Sequence, residues 1–100
     1  MGKFVQIVEY TTSRFDEVKA LGQEYRDNAA GRGGPRRVTI TGDRDRPNTF
    51  VTIAEFESYD AAMQNSKRPE TSQFAEQMSK LCDGPPTFRN LDVQDSYELT

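Results

Sequence analysis

The sequence predicts an α+β domain in which two helices cover one face of a four-stranded antiparallel sheet. Three observations lead there. Four runs are rich in β-branched and aromatic residues, two longer stretches carry apolar residues at helical spacing, and the connections hold turn-forming residues. Their order along the 100 residues is β-α-β-β-α-β, enough for one domain and one core.

The first run, "KFVQIVEYT" at 3–11, reads as a strand. Ser13 offers an N-cap, with Asp16 in the first turn. Phe15, Val18, Leu21, Gly22, Tyr25 and Ala29 then follow at helical spacing, which predicts an amphipathic helix over 14–29 that stops at Gly31. "GRGGP" at 31–35 is a flexible connection. Strands are predicted at 36–41 and 49–56, joined through "GDRDRPN" as a hairpin.

Ser58 caps the second helix, with Asp60 near its positive end. Pro69 interrupts that helix, and Phe74, Met78 and Leu81 resume its apolar face beyond the break. Proline suits the first turn of a new helical piece, where its missing N–H is not needed, and it pushes Arg68 out of helical geometry. "DGPP" ends the helix, and "TFRNLDV" at 87–93 is the last strand. The domain is expected to span 1–95, with a polar tail at 96–100. This is the ferredoxin-like arrangement.

Two helices cover one face of such a sheet, so the other should read polar, and it does not. In the first strand one parity holds Val5, Ile7 and Glu9, the other Phe4, Gln6, Val8 and Tyr10. In the third strand one holds Phe50, Thr52, Ala54 and Phe56, the other Val51, Ile53 and Glu55. A second copy related by a two-fold axis is the simplest cover, so a homodimer is expected, with Tyr10 and Tyr97 as further candidates for the contact.

Composition narrows the function classes. A formal charge of −3 and the lack of a long basic run argue against nucleic acid as a partner; the three arginines of "GRGGPRR" come without stacking aromatics. With no His and one Cys, the usual transition-metal sites cannot be assembled within one chain, and a metal at Asp43–Arg46 is not expected because arginines alternate with the aspartates there. Cys82 reads as a small hydrophobe. No run reaches the length of a membrane span and no charged-then-apolar leader opens the chain, so no membrane partner and a cytoplasmic setting are expected.

From Arg46 to Val93, "RPNTFVTIAEFESYDAAMQNSKRPETSQF" and then "GPPTFRNLDV", the sequence resembles the dimeric α+β barrel superfamily, and within it the antibiotic biosynthesis monooxygenase-like domains. The shared layout is a turn into a strand, an aromatic-Glu-Ser run into a helix, a short interrupted stretch, a phenylalanine-bearing helix, paired prolines and a final strand. The first half matches in element order only. The resemblance implies a dimer and a split second helix bent around a cavity between helices and sheet, with "NSKRPE" over its mouth.

Within that family, cofactor-free monooxygenases let an electron-rich aromatic substrate react with oxygen. This needs a desolvated aromatic-lined pocket, a polar group near the substrate hydroxyl and a donor for developing negative charge. Phe56 stands where relatives often carry Trp, and Asn65 and Glu70 where many carry His. Haem-degrading relatives need both His and Trp, which this chain lacks, so no cofactor is expected. The expected ligand-contacting residues are Ile7, Tyr25, Phe56, Tyr59, Asn65, Arg68, Phe74 and Met78, with Glu9 and Asn65 as acid-base candidates. Glu9 reads more readily as a paired or solvated strand carboxylate, and Phe56, Phe74 and Met78 more readily as core than as ligand wall. Three functions compete: a dimer binding a small aromatic ligand, a cofactor-independent monooxygenase for an aromatic or quinol-like substrate, and a structural dimer with a closed core.

Overall fold

In the computed structural model, which describes residues 3–29 and 34–99, the chain alternates strand and helix as its patterning dictates. The elements are β1 (Phe4–Thr11), α1 (Phe15–Ala29), β2 (Arg37–Gly42), β3 (Thr49–Phe56), α2 (Tyr59–Ser66), α3 (Pro69–Leu81) and β4 (Thr87–Asp92). The strands form one sheet in the order β2-β3-β1-β4, with every neighbouring pair antiparallel. This is the expected α+β, ferredoxin-like architecture. The predicted stop at Gly31 lies outside the described residues.

Local chemistry accounts for the element ends. The Ser58 hydroxyl accepts from the Ala61 N–H at 3.1 Å and caps α2 as expected. Pro69 opens α3, and Arg68 before it is extended (φ −73°, ψ 140°). The start of α1 differs from the expectation. Arg14, not Ser13, holds the cap position: its carbonyl accepts from the N–H groups of Glu17 and Val18, and its own N–H goes to the Thr12 hydroxyl at 2.9 Å. A serine in front of an amphipathic run is a good capping signal, but the buried Thr12 hydroxyl next to it takes the bond.

The turn before β3 is self-paired, as its alternating charges suggest. Asp43 accepts from the Asp45 N–H and from Arg46 Nε, each at 2.9 Å, and these bonds, the backbone one first, hold its carboxyl below the usual aspartate range. Asn48 takes a left-handed conformation (φ 61°) as the chain enters β3.

Registers assign the two faces. Phe4 pairs with Phe56 and Tyr10 with Phe50, and these residues meet the helices. The opposite face carries Val5 beside Glu55 and Leu91, Ile7 beside Ile53 and Arg89, and Glu9 beside Val51 and Thr87. No element among the described residues covers that face, and Leu91 on it is exposed.

Candidate functional site

The helix-facing core is divided. One cluster consists of Phe4, Phe56 and Ala62, with Ala54 and Met63 packed against it. The other consists of Tyr10, Val18 and Met78, joined by Val8, Leu21, Phe50, Phe74, Leu81 and Cys82. α2 is the helix that sits on β1 and β3, whereas α1 packs chiefly on α3. Between the clusters the sheet presents two cross-strand rows, Asn90–Gln6–Ala54–Val38 and Phe88–Val8–Thr52–Ile40. Helix-facing residues at the middle of the two inner strands would be the most buried of all in a closed layer. Here Gln6, Val8, Thr52 and Ala54 are only half-buried, and Val38 and Ile40 are 43% and 41% exposed.

The band is apolar with polar inserts. Gln6 Nε2 donates to Asn90 Oδ1 at 3.1 Å. Burial pushes the pKa of Tyr10 up, outweighing the opposing influence of the nearby Thr52 hydroxyl, with a smaller contribution from Cys82. Tyr10 therefore stays a neutral donor at physiological pH.

The break between α2 and α3 brings a second polar group together. Asn65, in the last turn of α2, is only 8% exposed. The Tyr25 hydroxyl from α1 donates to Asn65 Oδ1 at 3.5 Å and shares a 2.8 Å bond with the Thr71 hydroxyl in the first turn of α3. One phenol thus links all three helices at the break. Its ring lies 4.7 Å from that of Phe74. Gly34 closes on the same spot: with φ 110°, it brings the chain so near that an added Cβ would lie 3.4 Å from Asn65 Oδ1. Arg68 follows half-buried, with its Nη1 closed to solvent.

The structure thus gathers Tyr25, Asn65 and Phe74 at the break, with Arg68 at the start of α3. Phe56 and Met78 lie in different core clusters. Tyr59 is 52% exposed, its ring edge-on to Phe4 at 5.4 Å. Ile7 and Glu9 do not join them, because Phe4 and Tyr10 of the opposite β1 parity pack under the helices and leave both on the open face. Alternation separates two faces without saying which one the helices take, and in β1 both are apolar enough to qualify. Glu9 lies 3.6 Å from both Arg46 and Arg89, so it is a paired strand carboxylate and not one desolvated under the helices.

Sequence reasoning missed Thr71, Thr52 and Gln6. A threonine two residues after a helix-starting proline, or a lone polar residue on an apolar strand parity, is a signal available in sequence, though one shared by many surface positions. Cys82 packs against the second cluster, and burial, followed by the neighbouring Asp83 charge, raises its thiol pKa. Among the described residues no group of three or more His, Cys, Asp or Glu could hold a metal ion, and no helix is long and apolar enough to cross a membrane.

No protein-family model matches the chain, and no curated protein matches it in sequence. Its fold, however, is well represented among solved structures. It is similar to SnoaB, a cofactor-independent oxygenase from Streptomyces nogalater, with a TM-score of 0.81 at 18% identity over 96% of this chain and 97% of that one. A putative antibiotic biosynthesis monooxygenase from Caulobacter crescentus CB15 gives 0.80 at 13% identity, covering 94% and 92% of the two chains. Another from Nitrosomonas europaea gives 0.76 at 14%, covering 94% and 93%.

Proposed function

We propose that this chain, which has the fold of the antibiotic biosynthesis monooxygenase-type domains, binds a small flat aromatic ligand between the broken α2–α3 pair and the sheet. The observation that carries this reading is the division of the core. Two packed clusters flank a half-buried band whose surface is mostly apolar, with amide and hydroxyl groups set into it. Such a surface suits a flat ring system bearing oxygens. Tyr25, Asn65 and Thr71 supply polar groups on the helix side, and Tyr10 with Thr52 supplies a hydroxyl pair on the sheet side.

The open sheet face supports a homodimer. Val5, Ile7, Val51, Ile53 and Leu91 form a contiguous apolar surface, and the charged Glu9 on it is neutralised by Arg46 and Arg89. A second copy related by a two-fold axis would cover the face with its own equivalent.

Cofactor-independent oxygenation is the second reading, favoured by SnoaB's activity and by the neutral donors at the band. Hydroxyls and amides stabilise a developing phenolate but do not take its proton at neutral pH. The suited substrates are those acidic enough to ionise with that help, such as anthrones and dihydroquinones. An anthrone would supply the electrons, one oxygen atom of O₂ would enter the product as a carbonyl, and the other would leave as water.

Titration calorimetry with hydroxylated anthraquinones tests the binding reading, and oxygen uptake by the metal-free protein with anthrones tests the second. Saturable binding that Asn65→Ala weakens is the expected result. A panel of flat aromatic ligands that all fail to bind would leave a structural dimer as the better account. Uptake unaffected by Asn65→Ala and Tyr25→Phe would contradict catalysis at the break.

A further inference from the structure

β2 lies outermost in the sheet beside β3, and all six of its residues are exposed. Four β-branched residues run in succession, Val38, Thr39, Ile40 and Thr41, in unbroken register with β3 and without proline or lysine. Its outer row of N–H and C=O groups is a template for another strand, and native proteins pair, cover or charge such an edge. Its one charge is Arg37, at the start. The opposite edge, β4, is better guarded: Pro85 and Pro86 precede it, and it holds Arg89, Asn90 and Asp92.

The chain also carries a strand pattern that joins no sheet. Beyond β4 the Val93 N–H still reaches the Lys3 carbonyl at 3.0 Å, but residues 93–99 enter no helix or strand. Their sequence, "VQDSYEL", alternates: Tyr97 and Leu99 share the parity of Val93, while Ser96 and Glu98 take the other. Tyr97 and Leu99 are 75% and 88% exposed, more than any other large apolar side chain described. A tail that is merely solvated gains nothing from that pattern.

The segment and the edge match on both faces. Val38 and Ile40 pair with Ala54 and Thr52 and so stand on the helix-facing side, leaving Arg37 and Thr39 on the open side. A strand with Tyr97 and Leu99 beside Val38 and Ile40 turns Ser96 and Glu98 towards the side of Arg37, because side chains alternate. The segment carries Asp95 and Glu98 and no base, whereas β2 carries Arg37 and no acid. Neither Arg37 nor Glu98 has an ion-pair partner among the described residues. A slip of one residue would set apolar against polar on both faces. The segment of the same copy does not make this pairing: it departs from β4, three strand spacings or about 14 Å from β2, and its apolar side chains lie open.

We propose that two copies exchange these segments, residues 93–99 of each adding a fifth strand to the β2 edge of the other. This rests on the homodimer reading above and names the segment and the edge that join the copies. Under a two-fold axis the exchange is mutual, so both edges close together. It also lengthens the two half-buried cross-strand rows that end at Val38 and Ile40, with Tyr97 and Leu99 of the partner copy walling that end of the band.

The test joins two single-cysteine proteins in a Cys82→Ser background, Thr39→Cys and Glu98→Cys, refolded together from urea and oxidised. With the apolar residues side by side, positions 39 and 98 stand opposite each other in either strand direction, within the roughly 4.4–6.8 Å between Cα atoms that a disulfide needs. A disulfide between unlike chains is expected, at a yield well above that of Glu98→Cys refolded with Thr87→Cys on β4. Replacing both Tyr97 and Leu99 by serine changes only exposed side chains. It should weaken dimerisation by about tenfold or more in sedimentation analysis, with the circular dichroism unchanged. Arg37→Glu should also weaken the dimer, and Glu98→Arg added to it should recover part of the loss. Equal linking to both edges, or a dimer as tight in the serine variant as in wild type, would overturn the exchange while leaving a dimer through the open face. Wild type that sediments as a monomer at every concentration would overturn the homodimer reading as well.

Discussion

Thr12→Val removes a single hydroxyl from the most enclosed polar residue described, whose relative exposure is 0%. That hydroxyl donates to the carbonyl of Leu81, the last residue of α3, at 2.6 Å, and accepts the Arg14 N–H at 2.9 Å as α1 begins. It therefore ties the end of β1 to the start of one helix and the end of another. Valine has nearly the same shape, so no cavity forms and the loss is one of hydrogen bonding. Leaving the Leu81 carbonyl unsatisfied costs about 1–3 kcal/mol, and losing the acceptor of the Arg14 N–H about 0.5–1.5 kcal/mol. The sum, about 1.5–4.5 kcal/mol, is a large share of the roughly 5–15 kcal/mol that stabilises a typical domain. For a chain of this size, at about 4–8 °C per kcal/mol, it corresponds to a melting temperature lower by about 6–36 °C. Urea unfolding followed by far-ultraviolet circular dichroism, at matched protein concentration, should show a lower midpoint with an unchanged slope. Thr12→Ser keeps the hydroxyl and should lose only about 0.8 kcal/mol for the missing methyl. A Thr12→Val loss below about 0.5 kcal/mol, or an equal loss in Thr12→Ser, would refute the reasoning.

Three other substitutions probe separate parts of the account. Ile53→Lys places a charge at the centre of the open sheet face and should shift the protein from dimer to monomer in sedimentation analysis; an unchanged mass would place any dimer contact elsewhere. Asn65→Ala should weaken binding of a hydroxylated anthraquinone by about tenfold, and adding Tyr25→Phe should cost less than its separate effect, because the two side chains share a hydrogen bond. Full additivity would deny that shared contact. The pKa of Tyr10 is raised above 10.0, so folding favours the neutral phenol. Its contribution is complete below that value and is lost as pH climbs through the folded-state pKa. Tyr10→Phe should therefore lose less stability than wild type between neutral pH and about pH 11, as read from urea midpoints. Parallel curves would exclude Tyr10 as a source of the alkaline loss.

The fold was legible because each element carries its own punctuation. Ser58 caps where a cap is needed, Pro69 starts a helix where its missing N–H is harmless, and the self-bonded Asp43 turn joins β2 to β3. The site was legible in part. Asn65 and Arg68 were expected at the break on the strength of Pro69 and the family layout, and Tyr25 and Phe74 among the pocket residues; the structure brings Asn65 and Phe74 to the Tyr25 phenol, with Arg68 next along the chain. Ile7 and Glu9 were grouped with them because strand alternation labels faces without orienting them. Only the packing of Phe4 and Phe56 on Ala62, and of Tyr10 with Val18 and Met78, fixes which side the helices occupy. Thr52 and Gln6 were missed for a related reason: their place between two core clusters is a property of packing that no local pattern carries.

The claim that most needs testing is that a ligand sits between those clusters and not on the open face. Backbone-amide NMR during titration with a hydroxylated anthraquinone tests it directly. The account predicts shift changes concentrated at Gln6, Val38, Thr52, Ala54, Asn65 and Thr71. Changes confined to Val5, Ile7, Val51 and Ile53 on the opposite face would contradict it.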